Sequence, residues 1–123
     1  VWHSAFAVET GRDPADVYDL YVLAADDWVQ LAVSPLYAPL FRAVPERMLP
    51  FLLHTNQDLR LARLALDADG DVNLLVDVPA QHINAELFGQ VLELLAYYAS
   101  ELGPQLRSID GAPGSAFSFL AGE

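Results

Sequence analysis

The stretch that decides the fold runs from residue 61 to residue 78 and reads LARLALDADGDVNLLVDV. Two apolar runs flank a turn in which Gly70 can adopt a left-handed backbone conformation. A three-residue loop at 68–70 sets the register, and a slip of one residue would turn every side chain to the opposite face. This register aligns apolar residues on one face, namely Leu66 with Val72, Leu64 with Leu74 and Ala62 with Val76. The other face is mixed and carries Arg63, Asn73 and Asp77. We therefore predict a β-hairpin that buries its apolar face.

A capped helix is predicted after this hairpin. Asn84 is a favourable N-cap, and Glu86 lies in the first turn, where a carboxylate complements the helix dipole. Apolar residues then recur at helical spacing as far as Leu102. The pair Gly103-Pro104 is a typical stop signal. We expect the helix to end there and a C-terminal tail to follow over residues 104–123, beginning as a loop.

The N-terminal part of the chain has the alternation of β-strands. A first strand is predicted between Trp2 and Val8. The runs 17–23 and 28–34 then surround residues 24–27. An even-length loop there brings apolar residues together on one face, as Val22 with Val29, Leu20 with Leu31 and Tyr18 with Val33. Three prolines make the next segment irregular. A short helix is predicted from about residue 48 to Asn56, and Pro50 requires either that the helix begins near it or that the helix is kinked there.

Composition restricts both fold and function. The 123 residues fit a single domain, 1–123, which is long enough to bury one core. The chain has no cysteine, which excludes disulfides, Cys-ligated zinc and a thiol nucleophile. Its 17 acidic residues stand against six arginines and no lysine, and the formal net charge of −11 argues against nucleic acid and anionic membranes as partners. Because no apolar run approaches the roughly 20 residues of a membrane span, we expect a cytoplasmic protein.

No group of residues in the sequence points to catalysis or metal binding. Asp67, Asp69 and Asp71 resemble the start of a calcium loop, but the glycine comes fourth instead of sixth and the twelfth position is Val78 instead of a glutamate. His54 has an aspartate four residues later, with which it can pair on a helix, but no nucleophile accompanies the pair. We therefore predict that the chain is not an enzyme and that it holds no metal and no cofactor.

The segment from Leu52 to Leu106 carries a longer pattern. It comprises LLHTN at 52–56, RLALDADG at 63–70, the run from Leu74 to Pro79, NAELF at 84–88 and GPQL at 103–106. This order of hydrophobic residues, with one asparagine and one Asp-Gly turn, resembles the YbjN-type bacterial domain family, which is similar in fold to the type III secretion chaperones. The resemblance implies an α+β domain with an antiparallel sheet of about five strands and two helices packed on one face. It also implies frequent dimerisation and a chaperone-like or regulatory protein-binding role.

We therefore expect an adaptor domain that binds a protein partner and forms a homodimer. The candidate surface consists of apolar residues on the less buried strand faces and in the tail, namely Tyr21, Leu23, Trp28, Leu61, Leu75, Phe117, Phe119 and Leu120. The alternation in the tail suits a strand added to a sheet edge, in its own subunit or across a dimer, although an ordinary packed C-terminus would show it too. The alternative function is a small-molecule-binding sensory domain with an apolar pocket between helix and sheet.

Overall fold

The computed structural model describes residues 1–8, 16–41 and 43–111. Within these ranges, five strands form one antiparallel sheet in the order β1-β2-β3-β5-β4. The strands are β1 (Trp2–Val8), β2 (Asp16–Ala25), β3 (Trp28–Tyr37), β4 (Ala62–Leu66) and β5 (Val72–Pro79). The helices α1 (Met48–Asp58) and α2 (Ala85–Asp110) pack on one face of the sheet, and a 3₁₀ turn (Ala80–His82) precedes α2. The predicted α+β fold class is confirmed.

The β4–β5 hairpin has the predicted register. Its pairs include Leu66 with Val72, Leu64 with Leu74 and Ala62 with Val76, and Gly70 has a φ of 87°. Two side chains differ from the predicted burial. Leu66 is 44% exposed because it ends the edge strand, and Asn73 lies on the opposite face as predicted but is only 8% exposed. The physical reason for the second difference is that β5 lies between β3 and β4, which enclose its side chains from both sides.

The turn of the β2–β3 hairpin is centred one residue later than the predicted pairs place it. Asp26 and Asp27 form a two-residue turn, and Asp26 has a φ of 56°, which aspartate tolerates better than most residues. The strands pair as Leu20 with Val33, Val22 with Leu31 and Ala24 with Val29. The predicted pairs of Val22 with Val29, Leu20 with Leu31 and Tyr18 with Val33 are therefore wrong. The apolar face is nevertheless the predicted one, because a shift by an even number of residues leaves every side chain on its own face.

The first helix begins at Met48 and ends at Asp58, slightly beyond the predicted end at Asn56. Pro50 is its third residue, where the backbone N–H has no intrahelical acceptor, so the proline removes no helical hydrogen bond. Met48 and Leu52 are buried and join a core that is built mainly from β2, β3, β5 and α2. Only a narrow stripe of α1 therefore packs into the core, and the other faces of this helix lie in solvent.

The second helix begins as predicted but ends later. Asn84 Oδ1 accepts a hydrogen bond from the Leu87 N–H at 2.8 Å, which confirms the N-cap. The predicted end at Gly103-Pro104 is wrong, and residues 104–110 of the predicted tail are helical. Gly103 is buried against Tyr18, and a Cβ at this position would overlap the Tyr18 hydroxyl. The glycine therefore permits close packing of helix on sheet, and the buried stripe continues beyond it.

A polar cluster connects the last turn of α2 to residues 37–47, which lead from the end of β3 to α1. The Tyr37 hydroxyl donates to Asp110 Oδ2 at 2.6 Å, and the Leu40 N–H donates to the same oxygen at 3.0 Å. The Arg47 guanidinium donates to the Ile109 carbonyl at 2.8 and 3.0 Å. Burial, followed by the hydrogen bond to Asp110, raises the pKa of Tyr37 well above its usual range.

Within the described ranges, no helix combines the length and the hydropathy needed to cross a membrane.

Candidate partner-binding surfaces

The helices cover one face of the sheet, and we call the other the open face. It is formed by alternate residues of the strands, and Tyr21, Leu23, Trp28 and Leu75 all lie on it. Leu23 and Trp28 are 41% and 52% exposed, and Tyr21 and Leu75 are half-buried. The structure thus brings four of the predicted partner-surface residues onto one side of the sheet.

The remaining predicted residues do not join them. Leu61 precedes β4, is 68% exposed and has a φ of 63°, a left-handed conformation that leucine rarely adopts. A tight turn holds it there, because the Ala62 N–H donates to the Arg60 carbonyl at 2.6 Å and the Arg60 N–H donates to the Tyr98 hydroxyl at 2.8 Å. The predicted tail residues lie outside the described residues, namely Phe117, Phe119 and Leu120.

Polar and charged side chains on the open face pair with one another. His3 Nε2 lies 3.1 Å from Asp19 Oδ1, and the His3 ring stacks on Tyr21 with a centroid distance of 4.6 Å. The Arg63 guanidinium lies 2.7 Å from Asp77 Oδ2, and the other Asp77 oxygen accepts a hydrogen bond at 3.0 Å from the glutamine side chain of β3. These pairs orient the aromatic and polar groups between the exposed apolar residues.

The Asp67 carboxylate organises the turn at one end of the open face. Its oxygens accept hydrogen bonds from the Asp69 N–H at 2.9 Å, the Asp71 N–H at 3.0 Å and the Asn73 side-chain amide at 3.0 Å. These bonds, with that from Asn73 the strongest influence, hold the pKa of Asp67 below its usual range. The carboxylate is engaged by protein donors in the manner of a turn-forming aspartate. That the loop binds no calcium stays a prediction.

A shallow depression of about 320 Å³ lies in the open face. Its lining comes from Val1 and from β2, β3 and β5, and it includes Tyr21, Ala32, Asn73 and Leu75. The Oδ1 of Asn73 is buried, and none of the described residues donates a hydrogen bond to it. A buried acceptor without a donor costs about 1–3 kcal/mol.

The second candidate surface is a groove of about 290 Å³ between α1 and the edge strand β4, which we call the edge groove. Aliphatic side chains dominate its lining, namely Leu49, Leu52, Leu53, Leu64 and Leu66. Leu53 is 73% exposed, and Leu49 and Leu66 are 40% and 44% exposed. Sequence reasoning missed this groove. The spacing of Leu49 and Leu53 places them on one helix face, but only the position of α1 beside β4 creates the groove.

Asn56 forms hydrogen bonds with the outer backbone groups of the edge strand inside this groove. Its Oδ1 accepts a hydrogen bond from the Leu64 N–H at 2.7 Å, and its Nδ2 donates to the Leu64 carbonyl at 3.1 Å. The side-chain amide thus replaces the neighbouring strand that an edge residue lacks. A partner that approaches the middle of β4 meets leucine side chains instead of free backbone groups.

The third candidate surface is a cleft of about 380 Å³ between β1 and α2. Apolar residues of both elements line it, including Trp2, Phe6, Leu92, Leu95 and Ala96. Its volume and lining lie in the range of small-molecule pockets, and it occupies the place between helix and sheet that the alternative function requires.

The three histidines lie in separate elements. His3 is on β1, where it pairs with Asp19, while His54 on α1 and His82 in the 3₁₀ turn are exposed. Within residues 1–8, 16–41 and 43–111, no group of three or more His, Cys, Asp or Glu side chains is arranged to hold a metal ion.

A scan against models of protein families found no match, and a search of curated proteins found none either. Among solved structures, the chain is similar to the ExsC–ExsE complex, with a TM-score of 0.57 and 18% identity over 89% of this chain and 77% of that chain. It is also similar to the heterodimeric ExoU–SpcU complex from the type III secretion system of Pseudomonas aeruginosa, with a TM-score of 0.59 and 17% identity over 81% of this chain and 80% of that chain. At this level of identity the comparison establishes the fold, which is the predicted α+β fold of the type III secretion chaperone type.

Proposed function

We propose that this chain is a non-enzymatic, chaperone-like or regulatory adaptor domain that binds a protein partner. The observation that carries the proposal is the edge groove, in which Leu53 and its neighbours keep large apolar side chains in water. Contiguous apolar surface on a small domain is typical of an interaction site. The fold supports the proposal, because the two structures named above are complexes between different proteins. The YbjN-like sequence pattern supports it as well.

We further propose that the edge groove is the interface of a homodimer. A two-fold axis would bring the same leucines of two copies together, as in the isologous interface of a symmetric dimer. Leu61 supports this assignment, since its unfavourable φ of 63° projects a 68% exposed side chain at the same edge of the sheet. The two copies would meet through side chains, because the backbone N–H and carbonyl of Leu64 are already hydrogen-bonded to Asn56.

The strength of this dimer can be estimated from the exposed leucines. The exposed fractions of Leu49, Leu53, Leu61 and Leu66 correspond to a little over two complete leucine side chains per copy. Burying a whole leucine contributes about 1.5–3 kcal/mol, so two copies would gain roughly 7–13 kcal/mol. Association costs about 4–15 kcal/mol in lost translational and rotational freedom. The two quantities are comparable, and we therefore expect a dimer that dissociates on dilution.

Amide hydrogen exchange at low and high protein concentration tests this interface. We expect amides of α1 and β4 to become more protected at high concentration in the native protein. The variant Leu53→Glu should lose this dependence, and the control Tyr97→Glu should retain it, because Tyr97 is similarly exposed, at 59%, on α2. Concentration-dependent protection of the open face in place of α1 and β4 would contradict the assignment.

Affinity capture of the tagged chain from its own organism tests the partner-binding role. The native chain and the control Tyr97→Glu should both retain a specific partner. At least one of two surface variants should lose it, Tyr21→Ala on the open face or Leu53→Glu in the edge groove. If both variants retain the same proteins as the native chain, those proteins do not use these surfaces and the proposal is wrong.

A specific observation favours the alternative, a sensory domain that binds a small apolar molecule. The cleft between β1 and α2 is apolar and has the volume of a ligand pocket. An apolar ligand there would change the fluorescence of Trp2, which lines the cleft. Titration with an anilinonaphthalene sulfonate dye, with Ala96→Phe as the variant that fills the cleft, tests this function. Equal dye binding by both proteins would exclude the cleft as a ligand site.

A further inference from the structure

The two edges of the sheet differ in their capacity to accept a further strand. In the middle of β4, the Asn56 side chain occupies the backbone N–H and carbonyl of Leu64. At the β1 edge, no strand or side chain among the described residues forms hydrogen bonds with the outward backbone groups. Such unpaired groups are a template for another strand. Of the two edges, that of β1 is therefore suited to pairing.

The apolar cleft between β1 and α2 lies beside this edge. Trp2, Ser4 and Phe6 line it from the strand, and Leu92 and Ala96 line it from the helix. Trp2 is 52% exposed, and Phe6 and Leu92 are half-buried, so apolar surface remains in contact with water. Because side chains alternate along a strand, a strand added to β1 would place every second side chain over the cleft.

The C-terminal segment, residues 112–123, begins near the end of β1. The Arg107 guanidinium in the last turn of α2 lies 2.9 Å from the Asp16 carboxylate, and Asp16 is the register partner of Val8. The strand β1 ends at Val8 and thus runs towards the end of the sheet at which α2 finishes. A segment that turns back from α2 would therefore run antiparallel to β1, as all neighbouring strands of the sheet do.

The segment is long enough to reach the cleft. Ala96 lies about 22 Å along the helix axis from Gly111, whereas an extended chain from Gly111 to Phe119 spans about 26 Å. Pro113 and Gly114 are typical turn residues and suit the reversal of direction. A short tether also gives the segment a local concentration on the order of millimolar, which favours it over a separate molecule.

The side-chain pattern of the segment suits this position. Phe117 and Phe119 are two residues apart and would lie on the same face of a strand, over the cleft. Residues 112–122 carry no charge, so the formal net charge of −11 on the chain does not oppose docking. The opposite face of the added strand would carry the residues between and beside the phenylalanines, namely Ala116, Ser118 and Leu120.

We infer that residues 115–120 pair with β1 of their own chain as an additional antiparallel strand, and that Phe117 and Phe119 fill the cleft. A small apolar molecule would then have to displace the segment to enter the cleft. This inference goes beyond the proposed partner-binding role and does not depend on it. It uses the β1 edge and not the edge groove, so the docking of the segment and the homodimer can fail separately.

Fluorescence of Trp2 tests the inference. The chain has two tryptophans, so Trp2 is the only one in a Trp28→Phe background. Deletion of residues 112–123 should expose Trp2, shift its emission to longer wavelength and increase its quenching by acrylamide. The outward amides of β1 should exchange with solvent up to about tenfold faster, as expected when backbone hydrogen bonds are lost. Unchanged emission and unchanged exchange would overturn the inference.

Variants of the full-length chain keep the test decisive if the shortened chain fails to fold. The double variant Phe117→Ser/Phe119→Ser should reproduce the emission shift of Trp2. The matched control Leu120→Ser removes an apolar side chain from the opposite face of the added strand, and it should retain the native emission. A shift of equal size in this control would show that the phenylalanines do not fill the cleft.

Two further measurements separate this inference from the homodimer. Leu53→Glu disrupts the edge groove and should retain the native emission of Trp2 and the native exchange of β1, whether or not the chain dimerises. The emission of Trp2 in the Trp28→Phe protein should be independent of protein concentration, because the segment docks on its own chain. Emission that shifts to longer wavelength on dilution would show docking on a second copy, and the inference would be wrong.

Discussion

The contact between Tyr18 and Gly103 allows a quantitative test of how α2 packs on the sheet. Replacing glycine by alanine inside a helix normally stabilises a protein by about 1 kcal/mol. At Gly103 the new Cβ would overlap the Tyr18 hydroxyl, and Tyr18 is only 6% exposed, so the ring cannot move into solvent without uncovering the core. Overpacking of this kind costs about 1–3 kcal/mol. We therefore expect Gly103→Ala to gain nothing and to lose up to about 2 kcal/mol of unfolding free energy.

A double-mutant cycle separates the clash from other effects. In Tyr18→Phe the hydroxyl is absent, and the nearest remaining ring carbon lies at an acceptable 3.4 Å from the new Cβ. Gly103→Ala should then stabilise by about 1 kcal/mol, which gives a coupling energy of about 1–3 kcal/mol. Gly89→Ala is the control, because no atom lies within 4 Å of its added Cβ, and it should stabilise in either background. Urea unfolding followed by circular dichroism measures all variants. A Gly103→Ala variant as stable as Gly89→Ala, with a coupling near zero, would refute this account of the packing.

Three further predictions concern other contacts. Folding raises the pKa of Tyr37, so this residue should not affect the unfolding free energy of the protein below pH 10. Above pH 10 it should lower that free energy by about 1.4 kcal/mol per pH unit. Urea unfolding of Tyr37→Phe should therefore show a shallower decline. Asn56→Ala should lower the unfolding free energy by about 1–3 kcal/mol, because its two hydrogen bonds to the backbone of Leu64 are lost. The exposed control Gln57→Ala should change the urea midpoint little, and equal midpoints of the two variants would contradict this role of Asn56. Deletion of residues 112–123 should lower the thermal midpoint or change the oligomeric mass, and docking of the tail is wrong if neither changes.

The sequence predicts register well where a turn is defined by its own residues. Gly70 is the only residue of its loop suited to a φ of 87°, so the β4–β5 pairs follow from the local pattern. The β2–β3 turn has no glycine, and the run Ala24-Ala25-Asp26-Asp27 permits more than one loop length. Its faces could be predicted from parity, but its pairs could not.

Features that depend on distant contacts escape prediction from the sequence. Gly103 has the appearance of a helix end, and the reason for it is Tyr18, which comes from another part of the chain. The edge groove depends in the same way on how α1 lies beside β4. The unsatisfied oxygen of Asn73 is visible only when the neighbours of its amide are known. By contrast, the alternation of β2, β3 and β5 is sufficient to place Tyr21 and Leu75 on a common face.

Sedimentation equilibrium over a wide range of protein concentrations tests most directly the proposal that this domain assembles through its edge groove. For the native protein we predict a mass that rises from the 13.5 kDa of the monomer towards twice that value, while Leu53→Glu stays at the monomer mass and Tyr97→Glu behaves like the native protein. A native protein that remains at 13.5 kDa throughout, or a Leu53→Glu variant that dimerises as strongly as the native chain, would contradict the proposal.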